Sequence, residues 1–263
     1  MPYRIDLPHS GDDAIDRLIE LGALDVELHE RGISAVLPDA VSTGQVAGAL
    51  GVSEIAVSPA VGRDADSVWI LSPRPIRIGR VRIVPVHIEG EPDALRLIDA
   101  AAFGTGLHTT TALCLEALDE ILQIAQPDAV FDVGTGSGIL ALAALKLGVP
   151  RALGIDLEDE ALLVAAENAR INGLGERLQL ARGGPETVAG TWPLVLANVL
   201  AAPLIEMAPA LVRRVGHHGQ LLLSGIPSSA GQDVERAYRH LGMRRVSVKS
   251  RAGWVALVLQ ASW

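Results

Sequence analysis

Four clusters of residues in this chain have the types and spacing that chemistry needs. Asn198 ends an apolar run in Leu196-Ala197-Asn198-Val199-Leu200. A carboxamide at the end of a strand can offer its carbonyl oxygen to an amine and its NH₂ to a bound cofactor. The competing reading is a turn-forming asparagine. Asp156 follows the apolar stretch Ala152–Ile155. A carboxylate there can accept both hydroxyls of a ribose, or it can cap a helix through Asp156-Leu157-Glu158. Gly134, Gly136 and Gly138 recur at every second position after Phe131-Asp132-Val133. Such a turn bends sharply, lets a ligand approach the backbone and aims helix N–H groups at it. Glycines for tight strand–helix packing are the alternative. Finally, Phe103-Gly104-Thr105-Gly106-Leu107-His108-Thr109-Thr110-Thr111 offers backbone N–H groups, hydroxyls and two rings in one loop. That set suits covering a polar ligand, although a bare helix-capping loop also uses it. His108 can act as a base near neutrality or hold the loop by a backbone hydrogen bond; the loop role is preferred.

The bulk composition narrows the function. The 263 residues are 49% hydrophobic and 20% charged, enough for a sizeable core. A net charge of −9, without a Lys/Arg block, argues against a nucleic-acid surface and favours a basic protein partner. The single cysteine, Cys114, excludes an internal disulfide framework and a multi-cysteine zinc site. In Thr111-Ala112-Leu113-Cys114-Leu115 it reads as a buried, inert thiol. His217-His218 reads as a loop pair, and no metal is expected. No segment is apolar for the length of a membrane span and no leader is visible, so a cytoplasmic protein is expected, and a monomer.

The elements that must position these residues follow from hydrophobic period. Tyr3–Leu7, Asp25–His29, Ile33–Leu37 and Ile55–Val61 are predicted strands; Asp12–Leu21 and, more weakly, Val41–Leu50 are helices. The order β-α-β-β-α-β is that of a ferredoxin-like module over residues 1–62. It carries no catalytic constellation, which suits recognition or scaffolding. Residues 63–72 form a polar linker, and residues 73–263 form the second domain. Pro73–Ile88 predicts a β-hairpin whose Arg74, Arg77 and Arg80 face solvent. After the helix Thr111–Leu122, strands are predicted at Ala129–Val133, Ala152–Ile155, Leu178–Ala181, Leu194–Ala197 and Gln220–Ser224. Helices at Ile139–Leu147, Glu158–Asn172, Ala202–Arg214 and Gln232–His240 alternate with them. That alternation implies a mostly parallel sheet with helices on both faces. Arg245–Lys249 and Trp254–Leu259 end the chain as a hairpin.

Two features separate this sheet from a nicotinamide-binding one. The dinucleotide fingerprint G-x-G-x-x-G needs glycine at 139, where Ile139 stands, and a terminal hairpin is foreign to that fold. The pattern D-x-G-x-G-x-G and the hairpin-ended sheet instead resemble class I methyltransferases. FGTGLHTTT from Phe103, DVGTGSGIL from Asp132, GIDLEDEAL from Gly154 and LANVLAAPL from Leu196 together resemble the PrmA-type ribosomal-protein methyltransferases. That resemblance implies a seven-stranded, Rossmann-like α/β domain behind a small ferredoxin-like substrate-recognition domain. It implies S-adenosylmethionine as cofactor and amine methylation, on lysine or the N-terminus, of the large-subunit ribosomal protein L-eleven. Matching positions imply cofactor contacts at Thr111, Gly134, Gly136, Asp156 and Asn198, a covering role for Phe103, Thr105 and Gly106, and a catalytic role for Asn198. Phe103 would then lie against adenine or near the sulfonium, whose charge an aromatic face attracts. Methylation of another protein's lysine or of a small molecule, and an inactive cofactor-binding module, remain as alternatives.

Overall fold

The computed structural model describes residues 3–8, 14, 17–18, 21, 23, 25–29, 32–37, 41–53, 55–59, 75–88, 91, 93–98, 108–251 and 253–263. The expected linker at residues 63–72, Arg74 and the start of the expected Asp12–Leu21 helix lie outside these residues. The chain divides into two units, Met1–Ser72 and Pro73–Trp263.

In the first unit, β1 (Tyr3–Leu7), β2 (Asp25–His29), β3 (Gly32–Leu37) and β4 (Ala56–Pro59) form one sheet in the order β2-β3-β1-β4. Each neighbouring pair is antiparallel, the ferredoxin-like arrangement. In β1, Ile5 and Leu7 are buried and Asp6 is exposed, as strand alternation requires. Ala14, Arg17 and Leu18 are helical. Helix α1 (Thr43–Leu50) starts at Ser42, which forms a reciprocal capping box with Gln45, and stops at the left-handed Gly51.

The second unit begins with β5 (Ile76–Ile78) and β6 (Val81–Pro85), the expected hairpin. A third strand, β7 (Leu95–Leu97), pairs parallel to β6. Three residues carry too little periodicity to reveal such a strand in the sequence. Arg77 and Arg80 are exposed as expected, but Arg80 is also tied to a buried acid. Its Nε donates to Asp119 Oδ1 at 2.6 Å, and its backbone N–H reaches Asp119 Oδ2. Asp119 is 5% exposed, so it needs that partner.

Next come α2 (Thr109–Ile124), β8 (Ala129–Val133), α3 (Ile139–Lys146), β9 (Arg151–Asp156), α4 (Asp159–Ile171), β10 (Leu178–Arg182) and β11 (Trp192–Asn198). Then follow α5 (Ala201–Glu206), α6 (Ala208–Val212), β12 (Val215–Pro227), α7 (Gly231–Arg239), β13 (Met243–Arg251) and β14 (Trp254–Ala261). The seven-stranded sheet runs β10-β9-β8-β11-β12-β14-β13. Strands β8 to β12 pair in parallel, and β14 is inserted antiparallel between β12 and β13. All five residues of β8 are buried, as befits a central strand covered on both faces.

Two sequence expectations need correction. The single helix expected over Ala202–Arg214 breaks at Met207, because Pro209 in the first turn of α6 supplies no N–H to continue α5. His217 and His218 sit on β12, not in a loop, with their rings edge-on at 4.1 Å. Cys114 is buried as expected; burial and the Asp132 carboxylate push its thiol upward.

Candidate active site

The order of the parallel strands reverses between β8 and β11, and open α/β sheets bind ligands at the carboxyl ends beside such a switch. Register fixes what meets there. Val133 of β8 lies opposite Ala197 of β11 and opposite Ile155 of β9. Gly134, Asn198 and Asp156 therefore leave adjacent strand ends together.

Gly134, Gly136 and Gly138 have φ of 69°, 54° and 80°, which L side chains rarely adopt. A Cβ on Gly134 would press on Val199 Cγ2 at 2.9 Å, so the turn also lies tight against the Asn198 strand end. Asp156 is held by backbone N–H groups: Gly136 donates to Oδ2 at 2.9 Å and Glu158 to Oδ1 at 3.2 Å. Both readings of this residue thus have a basis. It braces the glycine turn and the start of α4, and it presents a partly exposed, oriented carboxylate.

Asn198 is more specific. Its Nδ2 donates to Thr111 Oγ1 at 3.2 Å, while its Oδ1 is buried with no partner among the described residues. One of the two N–H donors of the NH₂ expected to face a cofactor is taken by Thr111. The carbonyl oxygen is left as an acceptor for something else, and a buried acceptor without a partner costs about 1–3 kcal/mol.

Asp132, the first residue of the glycine motif, presents a second such acceptor. Oδ2 accepts from Thr135 Oγ1 at 2.8 Å and from Ala141 N at 3.3 Å, an acid at a helix start. Oδ1 is buried and has no partner among the described residues. Burial pushes this carboxyl up to about 6, against the opposing effect of its two donors. Its place at the head of D-x-G-x-G-x-G was the signal that could have found it.

His108 closes off one role. Its Nδ1 accepts the Thr110 N–H as the N-cap of α2, and its ring meets Trp254 edge-on at 5.3 Å. Burial depresses its pKa to about 4, so it is neutral near pH 7 with its acceptor nitrogen occupied. The bonds of Nδ1 to the Thr110 N–H and hydroxyl favour the loop-holding reading over the general-base one.

Asn168 was not visible as a site residue. Fully buried on α4, it donates to Ser137 O in the glycine turn and accepts the Ile98 N–H just after β7. Its signal was a carboxamide on the face marked by Ala161 and Ala165. Thr111, Gly134, Gly136, Asp156 and Asn198 are thus brought to the carboxyl end of the sheet. Phe103, Thr105 and Gly106 lie outside the described residues.

Residues 42–262 match the family described as "Ribosomal protein L11 methyltransferase (PrmA)", which is well over half of the chain. The chain belongs to this family. A PrmA relative named ribosomal protein L11 methyltransferase, from Myxococcus xanthus, is 32% identical and aligns over 97% of this chain and 96% of its own length. One of the same name from Pelobacter propionicus is 39% identical over 77% of this chain and 68% of its own. The crystal structure of ribosomal protein L11 methylase from Lactobacillus delbrueckii subsp. bulgaricus superposes with a TM-score of 0.67 at 31% identity. It covers 72% of this chain and all of that one. The matched span holds every site residue described above. Among the described residues no helix is long and apolar enough to cross a membrane, and no group of three or more His, Cys, Asp or Glu could hold a metal.

Proposed function

We propose that this protein transfers a methyl group from S-adenosylmethionine to amino groups of ribosomal protein L11, with lysine side chains or the N-terminal amine as acceptors. The observation that carries this reading is Asn198: a carboxamide fixed through its NH₂, with a buried carbonyl oxygen unpartnered among the described residues, beside the glycine turn. The cofactor fits the residues present. A sulfonium amino acid joined to a nucleoside needs an acceptor for its ammonium group and one for its ribose. Asp132 Oδ1 and the Asp156 carboxylate are acceptors of the two kinds, on neighbouring strand ends. When bound, it supplies a methyl group on a positively charged sulfur that departs as a neutral thioether.

The protein's residues then have defined tasks. Asp132 holds the ammonium, Asp156 the ribose, and the side-chain-free turn at Gly134 and Gly136 admits both. Asn198 Oδ1 accepts an N–H of the neutral amine and so points the nitrogen lone pair away from itself, toward the reacting carbon. Alignment of this kind, with the reacting atoms about 3–3.5 Å apart, supplies much of the rate. The amine must be neutral first. With an ordinary lysine pKa of about 10.4, that form is scarce at pH 7. Burial beside a cationic cofactor lowers the pKa, and the proton leaves to water. The cap bond of His108 and its depressed pKa argue against it as that proton's acceptor. We assign the first unit, Met1–Ser72, to recognition of the protein substrate: it has its own antiparallel sheet, and none of the site residues above belongs to it.

The test is methyl transfer from labelled cofactor into purified L11, compared with another basic protein and with free lysine. Label on L11 at its amines, lost with Asn198→Ala while cofactor affinity stays within about threefold, is expected. Label only on the other acceptors, or unchanged turnover in Asn198→Ala, would refute it.

A further inference from the structure

We infer that Ser224 is a positioning residue for the transfer step, acting through Asn198 and Thr111; this rests on the role proposed for Asn198. Nothing in the sequence marked Ser224, which lies in an apolar strand ending Leu221-Leu222-Leu223-Ser224-Gly225-Ile226. The structure places it, fully buried, directly beside Asn198 in the parallel pairing of β11 and β12.

Its two oxygen atoms close a ring of contacts around the carboxamide. Ser224 Oγ–H donates to the Thr110 carbonyl at 2.9 Å, holding the first turn of α2 from below. The Ser224 carbonyl accepts the Val199 N–H at 3.1 Å, holding the backbone just past Asn198. Asn198 Nδ2 then reaches Thr111 Oγ1 across the gap. Asn198 and Thr111 are 87 positions apart, on elements that share no chain connection nearby. The length and direction of their bond depend on what joins α2 to the end of β11, and Ser224 touches both sides.

The strand is shaped to allow this. The pairing of β12 with β14 is irregular between Leu223 and Ile226, a bulge that spans Ser224 and Gly225. Bulges next to active sites re-aim a side chain. Gly225 has a φ of 81°, and a Cβ there would collide with the Val199 carbonyl. The backbone of β12 therefore lies closer to Val199 than any other residue would permit.

A serine in a leucine-rich strand also has a bland reading: it satisfies the Thr110 carbonyl and nothing more. The two readings differ in what Ser224→Ala does. As a positioning residue, its loss leaves the melting temperature within a few degrees and S-adenosylhomocysteine affinity within about twofold. It lowers kcat about tenfold, the worth of roughly one neutral hydrogen bond spent on alignment. The Asn198 side-chain amide resonances shift in the free protein. Ser224→Cys, which keeps a weak donor at similar volume, loses less. In an Asn198→Ala background, Ser224→Ala adds no more than about a twofold further loss.

An unchanged kcat in Ser224→Ala, unmoved Asn198 resonances, or a full tenfold loss persisting in the Asn198→Ala background would overturn the inference. If Ser224→Ala does not fold, the same comparisons are made with Ser224→Cys. Failure of the underlying reading is separable. There, Asn198→Ala alone keeps its turnover, whatever Ser224 does.

Discussion

Asp132→Asn is expected to make the protein more stable and less able to bind its cofactor. The wild-type carboxyl sits at about 6 when folded, against about 3.8 when free. A folded-state pKa raised above the unfolded one means that the native state holds a proton the unfolded chain has released. Its contribution is fully present below about pH 3.8 and lost as the pH rises through about 6. The difference of about 2.2 units corresponds to about 3 kcal/mol at pH 7.5. Asparagine keeps an oxygen for Thr135 and Ala141 and carries no charge to bury. The NH₂ then replaces the oxygen that has no partner among the described residues, one orphaned group for another. The net gain is about 1–3 kcal/mol at pH 7.5, shrinking toward pH 4. At about 2–4 °C per kcal/mol for a domain of this size, differential scanning fluorimetry across pH 4–8 resolves it. The comparison is of each variant with wild type at the same pH, which cancels groups common to both. Calorimetric affinity for S-adenosylhomocysteine is expected to fall at least tenfold, since an NH₂ faces the ligand's ammonium group where a carboxylate did. A melting difference that does not change with pH, or undiminished affinity, would refute the burial argument or the assignment of Oδ1.

Further outcomes follow from single contacts. His108→Asn keeps an acceptor for the Thr110 N–H but removes a buried imidazole held at about 4, below its ordinary 6.5. A depressed pKa gives stability that is lost as pH falls from about 6.5 through 4, so wild type should lose ground to His108→Asn over that range, by roughly 3 kcal/mol at most; pH-dependent melting checks it. Tyr238→Phe strips the buried Leu204 carbonyl of its 2.7 Å donor. It is expected to cost about 1–2 kcal/mol in urea unfolding with no change in kcat. Asn168→Ala removes the link between the Ser137 carbonyl and the Ile98 N–H, and should destabilise by about 2–4 kcal/mol while weakening cofactor binding; calorimetry alongside unfolding measures both.

Much of this site was legible because its parts are short-range. The glycine turn, the acid that ends β9 and the asparagine that ends β11 each sit at the end of a run whose period announces a strand, and the strands stack in parallel. The register then brings Gly134, Asp156 and Asn198 together without further information. What could not be read depends on contacts between distant segments. Asn168 is a helix residue until the turn and the Ile98 N–H meet it. Ser224 is a polar residue in a leucine run until β11 and α2 close on it. Arg80 faces solvent as its spacing suggests, but nothing nearby in sequence reveals its tie to Asp119, 39 positions away. The break between α5 and α6 was visible in Pro209 but masked by the helix-forming residues around it. The bond from Asn198 Nδ2 to Thr111 joins residues 87 positions apart, which no local pattern encodes.

The central claim is that one pocket at the carboxyl ends of β8, β9 and β11 holds an adenosyl amino acid beside the Asn198 carbonyl. Titration calorimetry with S-adenosylhomocysteine and with a nicotinamide dinucleotide, on wild type and on Asp156→Ala, tests it most directly. Saturable one-to-one binding of the first ligand alone, weakened at least tenfold by Asp156→Ala, is expected. Heat from the dinucleotide and none from S-adenosylhomocysteine would contradict the account.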